Sequence, residues 1–389
     1  MCFPFSRVTQ RAEEMASFDY SRAGLLVLAS IASGACGDDS LGEREPSSTS
    51  NSTQGELRQA RPRCPAPSGP RAARVTDLGV LDPDTLFPAS HALALNDAGT
   101  VVGYSSTQIS PDLGALHAFK WQRHTGMVDL GTLGGENSFA IGVNDRDQVA
   151  GNAQAPDGYH YAVVWDAQGR IHNLGTLGGR DSHASGINNR GQVVGESENA
   201  RGQYRAFIWH AHTGMVDLGL PEGDFAYLHG INDSEVVIGA WVVNNGPAQP
   251  FKWTREEGPS ALDLLGGISG EAYDINARGE IVGYIYDQQQ FVAVKWAGDR
   301  AWRVADLPGP SDAYPRAINQ RGVIAGGDTT NSGSTAIRWT SSDRVERLSI
   351  DAIQSDAFAI NDSGAIAGDR LLSDQTSAWR AFLWEPRWP

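Results

Sequence analysis

The amino-acid sequence predicts an all-β fold, a seven-bladed β-propeller of four-stranded blades that occupies residues 75–389. A unit recurs seven times at intervals of 42 to 48 residues, a period typical of a propeller or another closed repeat array. Each unit contains short apolar segments bounded by turn residues, and no segment has a helical hydrophobic period. With 45 glycines and only 20% charged residues, the composition also suits short strands better than long surface helices.

Three residue types mark every unit. An asparagine ends an apolar segment, at Asn96, Asn144, Asn188, Asn232, Asn276, Asn319 and Asn361. Seven residues later comes a glycine, at Gly103, Gly151, Gly195, Gly239, Gly283, Gly326 and Gly368. A tryptophan closes the unit, at Trp121, Trp165, Trp209, Trp253, Trp296, Trp339 and Trp384. We expect the asparagines to bond neighbouring turn backbone, the glycines to allow a turn or a close backbone approach, and the tryptophans to pack between blades.

Each unit is interpreted as four short strands, and the third unit shows all of them. The first strand, Ser182–Asn188, is rich in small residues and ends in the Asn. The second, Gln192–Gly195, is β-branched and ends in the Gly, and the third, Arg205–Trp209, alternates around the Trp. The fourth, Met215–Gly219, follows a glycine turn. Four strands of this length describe a propeller blade.

The two ends of the repeat region predict how the ring closes. The chain enters it at Val75–Gly79, which matches a fourth strand, and leaves it after a third strand at Ala381–Trp384. The N-terminal strand is therefore expected to complete the last blade and remove an open edge. An open β-solenoid is the alternative, but it would need a cap at each end, and the sequence contains no such segment.

Charge and motifs exclude several classes of function. The formal net charge is 31 − 46 = −15, which argues against a nucleic-acid binder with its basic patch and against adsorption to an anionic membrane surface. The three cysteines, Cys2, Cys36 and Cys64, form no CxxC pair. No nucleophile elbow, HExxH helix, P-loop or Rossmann glycine signature occurs in a supporting context. The sequence thus predicts no metal, no cofactor and no nucleic-acid partner, and we expect a monomer.

Residues 1–36 are interpreted as an export signal. The run Ala23–Ala35 is apolar or small throughout and follows Arg22. Its 13 residues are too few to span a bilayer, which takes about 20, but they fit the core of a secretory signal. Met15 lies at the usual distance from this run, so residues 1–14 are interpreted as an over-called start.

The signal ends in Ser33–Cys36, which resembles the lipobox of bacterial lipoproteins, although Ser33 replaces the usual aliphatic residue. The resemblance implies lipidation of Cys36; ordinary signal-peptidase cleavage and a buried helix remain the alternatives. Residues 37–74 are rich in Ser, Pro, Gly, Arg and Asp. Such a composition cannot bury enough apolar surface to offset ordering entropy, so we expect a disordered tether. The location predicted is the bacterial cell envelope, lipid-anchored or secreted, with membrane contact only through the anchor.

The repeat sequence resembles the HAF repeats of bacterial extracellular proteins, a family named after a His-Ala-Phe triplet. The triplet occurs here as His117-Ala118-Phe119. A companion motif, DLGTLGG, occurs at Asp129–Gly135 and nearly intact at Asn173–Gly179. Both decay in later units, for example to Arg380-Ala381-Phe382. The resemblance covers residues 75–389 and implies an exported repeat protein, but it brings no activity. Any function tied to the intact phrase would lie in units one to three.

Local function is expected where the units differ. Five residues before each Asn, the chain has His91, Phe139, His183, Tyr227, Glu271, Tyr314 and Asp356. Three residues before, it has Leu93, Ile141, Ser185, His229, Tyr273, Arg316 and Phe358. Both positions share one face of the first strand by its period of two. If that strand lines the axis, the first set rings one channel mouth and forms the candidate ligand-binding site; the alternative is that these residues pack between blades.

The sequence leaves three hypotheses of function. The preferred one is a non-enzymatic binding module for a glycan, peptide or envelope protein. The second is a channel-mouth lyase or hydrolase acting on an extracellular polysaccharide, with Glu271, Asp356 and His183 as an acid–base set. The third is a structural surface repeat without a specific ligand.

Overall fold

The computed structural model describes residues 73–85, 88–110, 113–221, 225–244, 246–287, 290–307, 312–330, 333–372 and 378–386. The predicted signal, all three cysteines and the predicted tether up to residue 72 lie outside these ranges. Within them, no helix is long and apolar enough to cross a membrane.

The described residues form seven four-stranded antiparallel sheets arranged as the blades of a seven-bladed β-propeller. From the inner to the outer strand, blade 1 contains β2 (Ser90–Leu95), β3 (Val101–Ser110), β4 (Leu113–Gln122) and β5 (Gly126–Asp129); blade 2 contains β6 (Ser138–Val143), β7 (Val149–Gln154), β8 (His160–Trp165) and β9 (Ile171–Asn173); and blade 3 contains β10 (Gly178–Ile187), β11 (Val193–Asn199), β12 (Tyr204–His210) and β13 (Gly214–Asp217).

The remaining blades repeat this order. Blade 4 contains β14 (Phe225–Ile231), β15 (Val237–Val242), β16 (Gln249–Thr254) and β17 (Gly258–Ala261); blade 5 contains β18 (Ser269–Ile275), β19 (Glu280–Tyr286), β20 (Phe291–Ala297) and β21 (Arg300–Arg303); blade 6 contains β22 (Asp312–Ile318), β23 (Ile324–Thr330), β24 (Gly333–Ser341) and β25 (Arg344–Arg347); and blade 7 contains β26 (Gln354–Ile360), β27 (Ile366–Leu371) and β28 (Trp379–Glu385).

The predicted closure of the ring is confirmed. The fourth strand of blade 7 is β1 (Arg74–Asp77), which pairs antiparallel with β28 through Val75 and Trp384. The inner strands of successive blades are neighbours all round the ring, including β26 and β2. The first and last segments of the repeat region therefore meet in one sheet, which gives blade 7 the same four strands as the other blades and covers the edge of β28.

The core lies between the blades. A representative cluster joins Val102 and Ala118 of blade 1 to Ala140, Val163 and Trp165 of blade 2, all of them buried. All seven repeat tryptophans lie in the described part of the chain, and six of them are buried as predicted. The seventh, Trp209, is partly exposed. Burial of large side chains between sheets supplies most of the apolar stabilisation of such a ring.

The repeated glycines lie inside the second strand, which corrects the prediction that this strand ends at the Gly. In blade 3, Gly195 pairs with Ala184, and β11 continues to Asn199. The inner strand has a β-bulge here, and a Cβ on Gly195 would overlap the carbonyl oxygen of His183. The same overlap recurs in all seven repeats. The predicted close backbone approach is thus the reason for the glycine.

The repeated asparagines bond their own turns, as predicted, and also join the blades. Asn188 accepts hydrogen bonds from the backbone of Arg190 and Gln192 (both 3.0 Å), and its Nδ2 donates to the carbonyl of Asn232 in the next blade (3.0 Å). All seven side chains donate in this way at 3.0 to 3.2 Å, and Asn361 closes the circle on Asn96. Because all seven are buried, this closed ring of bonds is shielded from water.

A second ring of bonds runs beside the first and is interrupted once. The backbone N–H after each Asn donates to the side chain at the same position of the next blade, as from Asp97 to Asp145 (3.0 Å). Six such bonds occur among the described residues. The seventh is missing where Ala277 faces Asp233, because alanine has no acceptor in its side chain.

Candidate functional site

The predicted site residues lie near the start of the inner strands, and the Asn turns lie at their far end. We call the first end of the central channel the mouth and the second the Asn end. The two are about 16 Å apart along each strand, at roughly 3.3 Å per residue. Among the seven site residues, His183 is buried at 7% exposure, Tyr227 is 38% exposed, and the other five are partly buried. The mouth is therefore partly open and partly packed, which lies between the two alternatives of an open ring of side chains and packing between blades.

In blades 1 to 3 the mouth is a series of rings. His91 places its Nδ1 2.5 Å from the Asp369 carboxylate of blade 7 and stacks on Tyr104 at 4.8 Å between centroids. From there, rings follow one another at centroid distances of 4.8 to 6.5 Å in the order His91, Tyr104, Phe139, His160, His183 and Tyr204. Burial lowers the pKa of His160. This arc is aromatic, includes three histidines and ends at Tyr204, which is 39% exposed. Three of its members are predicted site residues.

Between blades 3 and 4 a buried carboxylate has a structural role. Glu196, 6% exposed, accepts a hydrogen bond from the backbone N–H of Leu228 at 2.7 Å. The Oγ of Ser185 lies 3.3 Å from the same carboxylate. Next to it, Tyr227 projects into solvent and contacts Phe225 edge to face at 4.5 Å. Tyr227 is thus the predicted site residue most accessible to a ligand.

In blades 4 and 5 the mouth becomes charged. His229 places its Nε2 3.2 Å from the carboxylate of Glu271 and packs against Tyr273 at 5.1 Å between ring centroids. Burial alone would raise the pKa of Glu271, but hydrogen bonds from His229 and Tyr284 hold that pKa below its usual value. Glu271 therefore stays ionised near neutral pH.

In blades 6 and 7 the pKa of the second predicted carboxyl group is shifted in the opposite direction. The Tyr314 hydroxyl donates to Asp356 at 2.6 Å, and the Ser334 hydroxyl donates to it at 2.8 Å. Burial, together with the charge of Asp369, raises the pKa of Asp356 to about 6. Gly327 leaves the space for this pair, since a Cβ there would meet both side chains. The pKa values of two carboxyl groups of one mouth are thus shifted in opposite directions.

Arg316 lies between these two groups and is enclosed by aromatic rings. Its guanidinium carbon is 4.8 Å from the ring centroid of Tyr273, 5.1 Å from that of Tyr314 and 5.8 Å from that of Phe358. Its Nε is buried without a hydrogen-bond partner, and no ion pair involves this side chain among the described residues. Burial would lower the pKa of Arg316, but the neighbouring tyrosines and the carboxylates of Asp356 and Glu271 raise it. The result is a fully charged cation whose hydrogen-bond donors are unused.

The structure brings the predicted residues of blades 5, 6 and 7 together and adds partners that the prediction missed. Glu271, Tyr314 and Asp356 surround Arg316, which the sequence showed only in the set three residues before the Asn. A third set stands one residue after each repeated glycine, opposite the predicted positions, and contributes Tyr104, Glu196, Tyr284 and Asp369. The signal for this set was present, because the strand continues past the glycine with the same period of two.

The chemistry available at the mouth is recognition by ring faces, one cation and two carboxyl groups. Within the described residues, no group of three or more His, Cys, Asp or Glu side chains is arranged to hold a metal ion. Exposed Tyr227 and the arginine cluster fit a ligand that offers both a flat face and an anionic or polar group.

Comparison with known proteins identifies the fold. No protein-family model and no curated protein matches the chain. Among solved structures, the β-propeller domain of the Trilobed protease from Pyrococcus furiosus has a TM-score of 0.55 at 9% identity over 78% of this chain and 94% of that one. That domain is described as having an open velcro topology, whereas here β1 closes the ring.

Two further propellers are similar. Virginiamycin B lyase from Staphylococcus aureus has a TM-score of 0.51 at 14% identity over 80% of this chain and 99% of that one. Pyrococcus horikoshii acylaminoacyl peptidase has a TM-score of 0.51 at 10% identity over 79% of this chain and 53% of that one, so the match spans about half of the peptidase. At such identities the likeness shows the fold alone.

Proposed function

We propose that this protein is an exported, lipid-anchored β-propeller of the bacterial cell envelope that acts as a non-enzymatic binding module. Its ligand is a glycan, peptide or envelope protein, and an acidic glycan fits the mouth best. The observation that carries the proposal is Arg316, a cation enclosed by three rings whose guanidinium makes no hydrogen bond or ion pair within the described residues.

An unused guanidinium favours a ligand that brings its own acceptor. The planar fork of arginine matches a carboxylate with two parallel N–H donors, and such charge-assisted bonds are about twice as strong as neutral ones. Tyr273, Tyr314 and Phe358 hold the side chain in place through its faces, so little side-chain entropy remains to be lost on binding. Preorganisation of this kind is typical of a binding site.

The rings of the mouth support a sugar rather than a flexible acid. Tyr227 is exposed and its neighbour Phe225 packs edge to face against it. Aromatic side chains with one free face offer a large, rigid and partly apolar contact area. A uronic-acid residue presents both a ring with C–H groups and a carboxylate, so it can use Tyr227 and Arg316 in one chain.

The N-terminal sequence supports the proposed location. The apolar run Ala23–Ala35 and the small residues that precede Cys36 are suited to export and lipidation. The composition of residues 37–72 suits a tether between an anchor and the ring. Labelling with radioactive palmitate in a bacterial host, with Cys36→Ser as the control, tests this part; equal labelling of both forms would overturn it.

The binding proposal is tested by calorimetry on the full chain with oligogalacturonate and with a neutral oligosaccharide of the same length. We expect the acidic chain to bind and Arg316→Gln to weaken it by at least about tenfold, the effect of roughly 1.4 kcal/mol. Arg321→Gln, at an exposed turn of the same blade, is the matched control and should bind as the native protein does. Equal binding of the neutral chain, or no effect of Arg316→Gln, would overturn the acidic-glycan proposal.

A channel-mouth lyase or hydrolase is the second candidate, and one observation favours it. Asp356, whose pKa is about 6, can carry or release a proton near neutral pH, while Glu271 stays ionised. The propeller of similar fold that is named a lyase shows that such chains can be enzymes. If oligogalacturonate is shortened, and Asp356→Asn or Glu271→Gln stops this while binding persists, the enzyme is supported; binding without any product supports the module.

A further inference from the structure

A groove opens between blades 2 and 3 on the surface of the Asn end, away from the mouth. It has a volume of about 420 Å³, enough for one or two sugar rings and within the usual range of small-molecule sites. Its lining includes Arg146 and His172 from blade 2 and Arg190, His210 and His212 from blade 3, with Trp209 beside them. His210 and His212 are two positions apart in the sequence, and neither belongs to the site at the mouth.

One wall of the groove lies at the position three residues after the Asn, which is glycine in five of the seven blades and acidic in the other two. At the joint of blades 1 and 2, Asp147, three residues after its Asn, fills the corresponding space. Its carboxylate accepts hydrogen bonds from Asn96 at 3.0 Å, Thr100 at 2.8 Å and Gln122 at 2.9 Å. At the joint of blades 3 and 4, the same position is Glu235, whose carboxylate lies 3.3 Å from Arg255.

Between these two filled joints the position is Gly191. A Cβ there would lie 3.0 Å from Oε1 of Gln148 and 3.2 Å from a terminal nitrogen of Arg146. The room beside Gly191 is thus bordered by Gln148, whose Oε1 accepts a hydrogen bond from Asn144 at 3.0 Å, and by the guanidinium of Arg146.

Trp209 differs from the other six repeat tryptophans, all of which are buried. At the preceding joint, Trp165 is fully buried and its indole N–H donates to the carbonyl of Leu130 at 2.8 Å. Trp209 is partly exposed, lines the groove, and makes no such hydrogen bond within the described part of the chain. The groove therefore offers a ring face and an indole donor next to its cations.

The charges that face the groove favour an anion. No ion pair involves Arg146 among the described residues, while Arg190 lies 3.7 Å from Glu235. The carboxylate in the lining, Asp166, is bound by Arg170 at 2.7 Å and lies 3.4 Å from His172. Hydrogen bonding by the Arg170 backbone and side chain lowers the pKa of Asp166 to about 2, so its charge is permanent but already compensated.

We propose that this groove is a second binding site, for a carboxylate on a sugar ring. The carboxylate takes the place that Asp147 and Glu235 fill at the adjacent joints, beside Arg146 and Gln148. The ring lies against Trp209, and the imidazoles of His172, His210 and His212 border it. The site is separate from the mouth and does not depend on the function proposed there.

The test is titration of the full chain with sodium glucuronate, followed by tryptophan fluorescence and calorimetry, with glucose and sodium acetate as comparison ligands. Gly191→Asp should place a carboxylate of the protein against Arg146 and weaken glucuronate binding by at least about tenfold. The backbone accepts aspartate there, since Gly191 has φ +77° and Asp147 has φ +59° at the equivalent position. Gly99→Asp, at φ +84° and the same position of the blade 7–blade 1 joint, is the matched control and should bind glucuronate as the native protein does.

Three results would overturn the proposal: no glucuronate binding, binding unchanged in Gly191→Asp, or glucose or acetate binding as tightly as glucuronate. Should Gly191→Asp fail to fold, Arg146→Gln replaces it, with the same loss expected. Because the mouth also offers a site for a carboxylate, the titrations are repeated in Arg316→Gln; glucuronate binding that is lost in that variant belongs to the mouth and would overturn the groove as its site. Each of the two sites is thus tested by a variant of its own.

Discussion

The two ends of the central channel are built by opposite rules, although the same seven strands form both. At the Asn end, one residue type repeats in every blade and donates the same hydrogen bond to the next blade. At the mouth, five residues earlier, no two neighbouring blades carry the same side chain. The repeat therefore keeps the side chains that join the blades and varies those at the mouth, where we propose that a ligand binds. Because the joints bear the stability, the mouth is free to change its chemistry.

The mouth itself is divided. The arc of blades 1 to 3 is made of packed rings, while the cluster around Arg316 belongs to blades 5 to 7. The phrase DLGTLGG is intact in unit one and nearly so in unit two, so the best-preserved wording and the charged cluster lie in different blades. The DLGTLGG phrase forms the connections between blades, and the charged cluster around Arg316 lies in blades where this phrase is no longer intact.

The largest effect is expected where the ring closes. Deleting residues 75–81 removes a strand of blade 7 and with it Leu78, which is buried at 4% exposure. We expect a loss of about 4 kcal/mol or more in the free energy of unfolding, since one fully buried Leu is worth roughly 1.5–3 kcal/mol and an edge is opened as well. Thermal unfolding measures it, and an unchanged melting temperature would refute the closure.

The next largest effect concerns the repeated glycines, which fix the backbone of the mouth. Gly195→Ala would drive a Cβ into the carbonyl of His183, and we expect a loss of about 3 kcal/mol or more. Gly114→Ala is the control, because its Cβ would have an ordinary 3.7 Å contact. Equal stability of the two variants in urea unfolding would show that the close approach is not required.

The asparagine ring and the mouth side chains can be compared directly. Asn188→Ala removes buried hydrogen bonds to Arg190, Gln192 and Asn232, so a loss of about 2–3 kcal/mol is expected. Tyr227→Ala, at an exposed position, should change the stability by no more than about 0.5 kcal/mol. If Tyr227→Ala costs as much as Asn188→Ala in the same unfolding assay, the division between scaffold and site is wrong.

Asp274 is a buried carboxyl group near the Asn end, and it makes the stability of the protein depend on pH. Burial raises its pKa to about 6, against backbone hydrogen bonds from Ile318 and Ile275. A folded-state pKa above the unfolded value means that its contribution is present below about pH 4 and is lost as the pH rises through about 6. Relative to Asp274→Asn, the native protein should lose about 2 kcal/mol over this window. Parallel pH profiles of the two proteins in urea unfolding would contradict it.

The smallest effect is expected from a substitution that supplies the missing hydrogen bond in the second ring of bonds. Ala277→Asn would supply the acceptor that the backbone N–H of Asp233 lacks in the second ring of bonds. One hydrogen bond is worth about 0.5–1 kcal/mol net, so a small gain in the free energy of unfolding is expected. Ala277→Val offers no acceptor and is the control; an equal gain in both would mean that the ring of bonds is irrelevant.

Sequence periodicity was enough to predict the number of blades and the seam, because Asn, Gly and Trp mark each unit and β1 matches a fourth strand. It could not predict contacts between blades. The Asn-to-Asn bonds, the rings around Arg316 and the exposed Trp209 depend on which residues neighbouring units place side by side. The groove beside Gly191 could not be predicted either, since five of the seven blades have glycine three residues after the Asn, and only the structure shows which of them borders a groove.

The seam has a mechanical consequence. β1 begins at Arg74 beside Glu385, at the Asn end of blade 7, and runs toward the mouth. A pull on residue 73 directed away from the Asn end therefore acts along the strand. All four residue pairs between β1 and β28 are then loaded together in shear, rather than peeled apart one at a time. Resistance to such a force is governed by the rate of unfolding, so the pairing of β1 with β28 sets how long the ring withstands a pull on its N-terminal end.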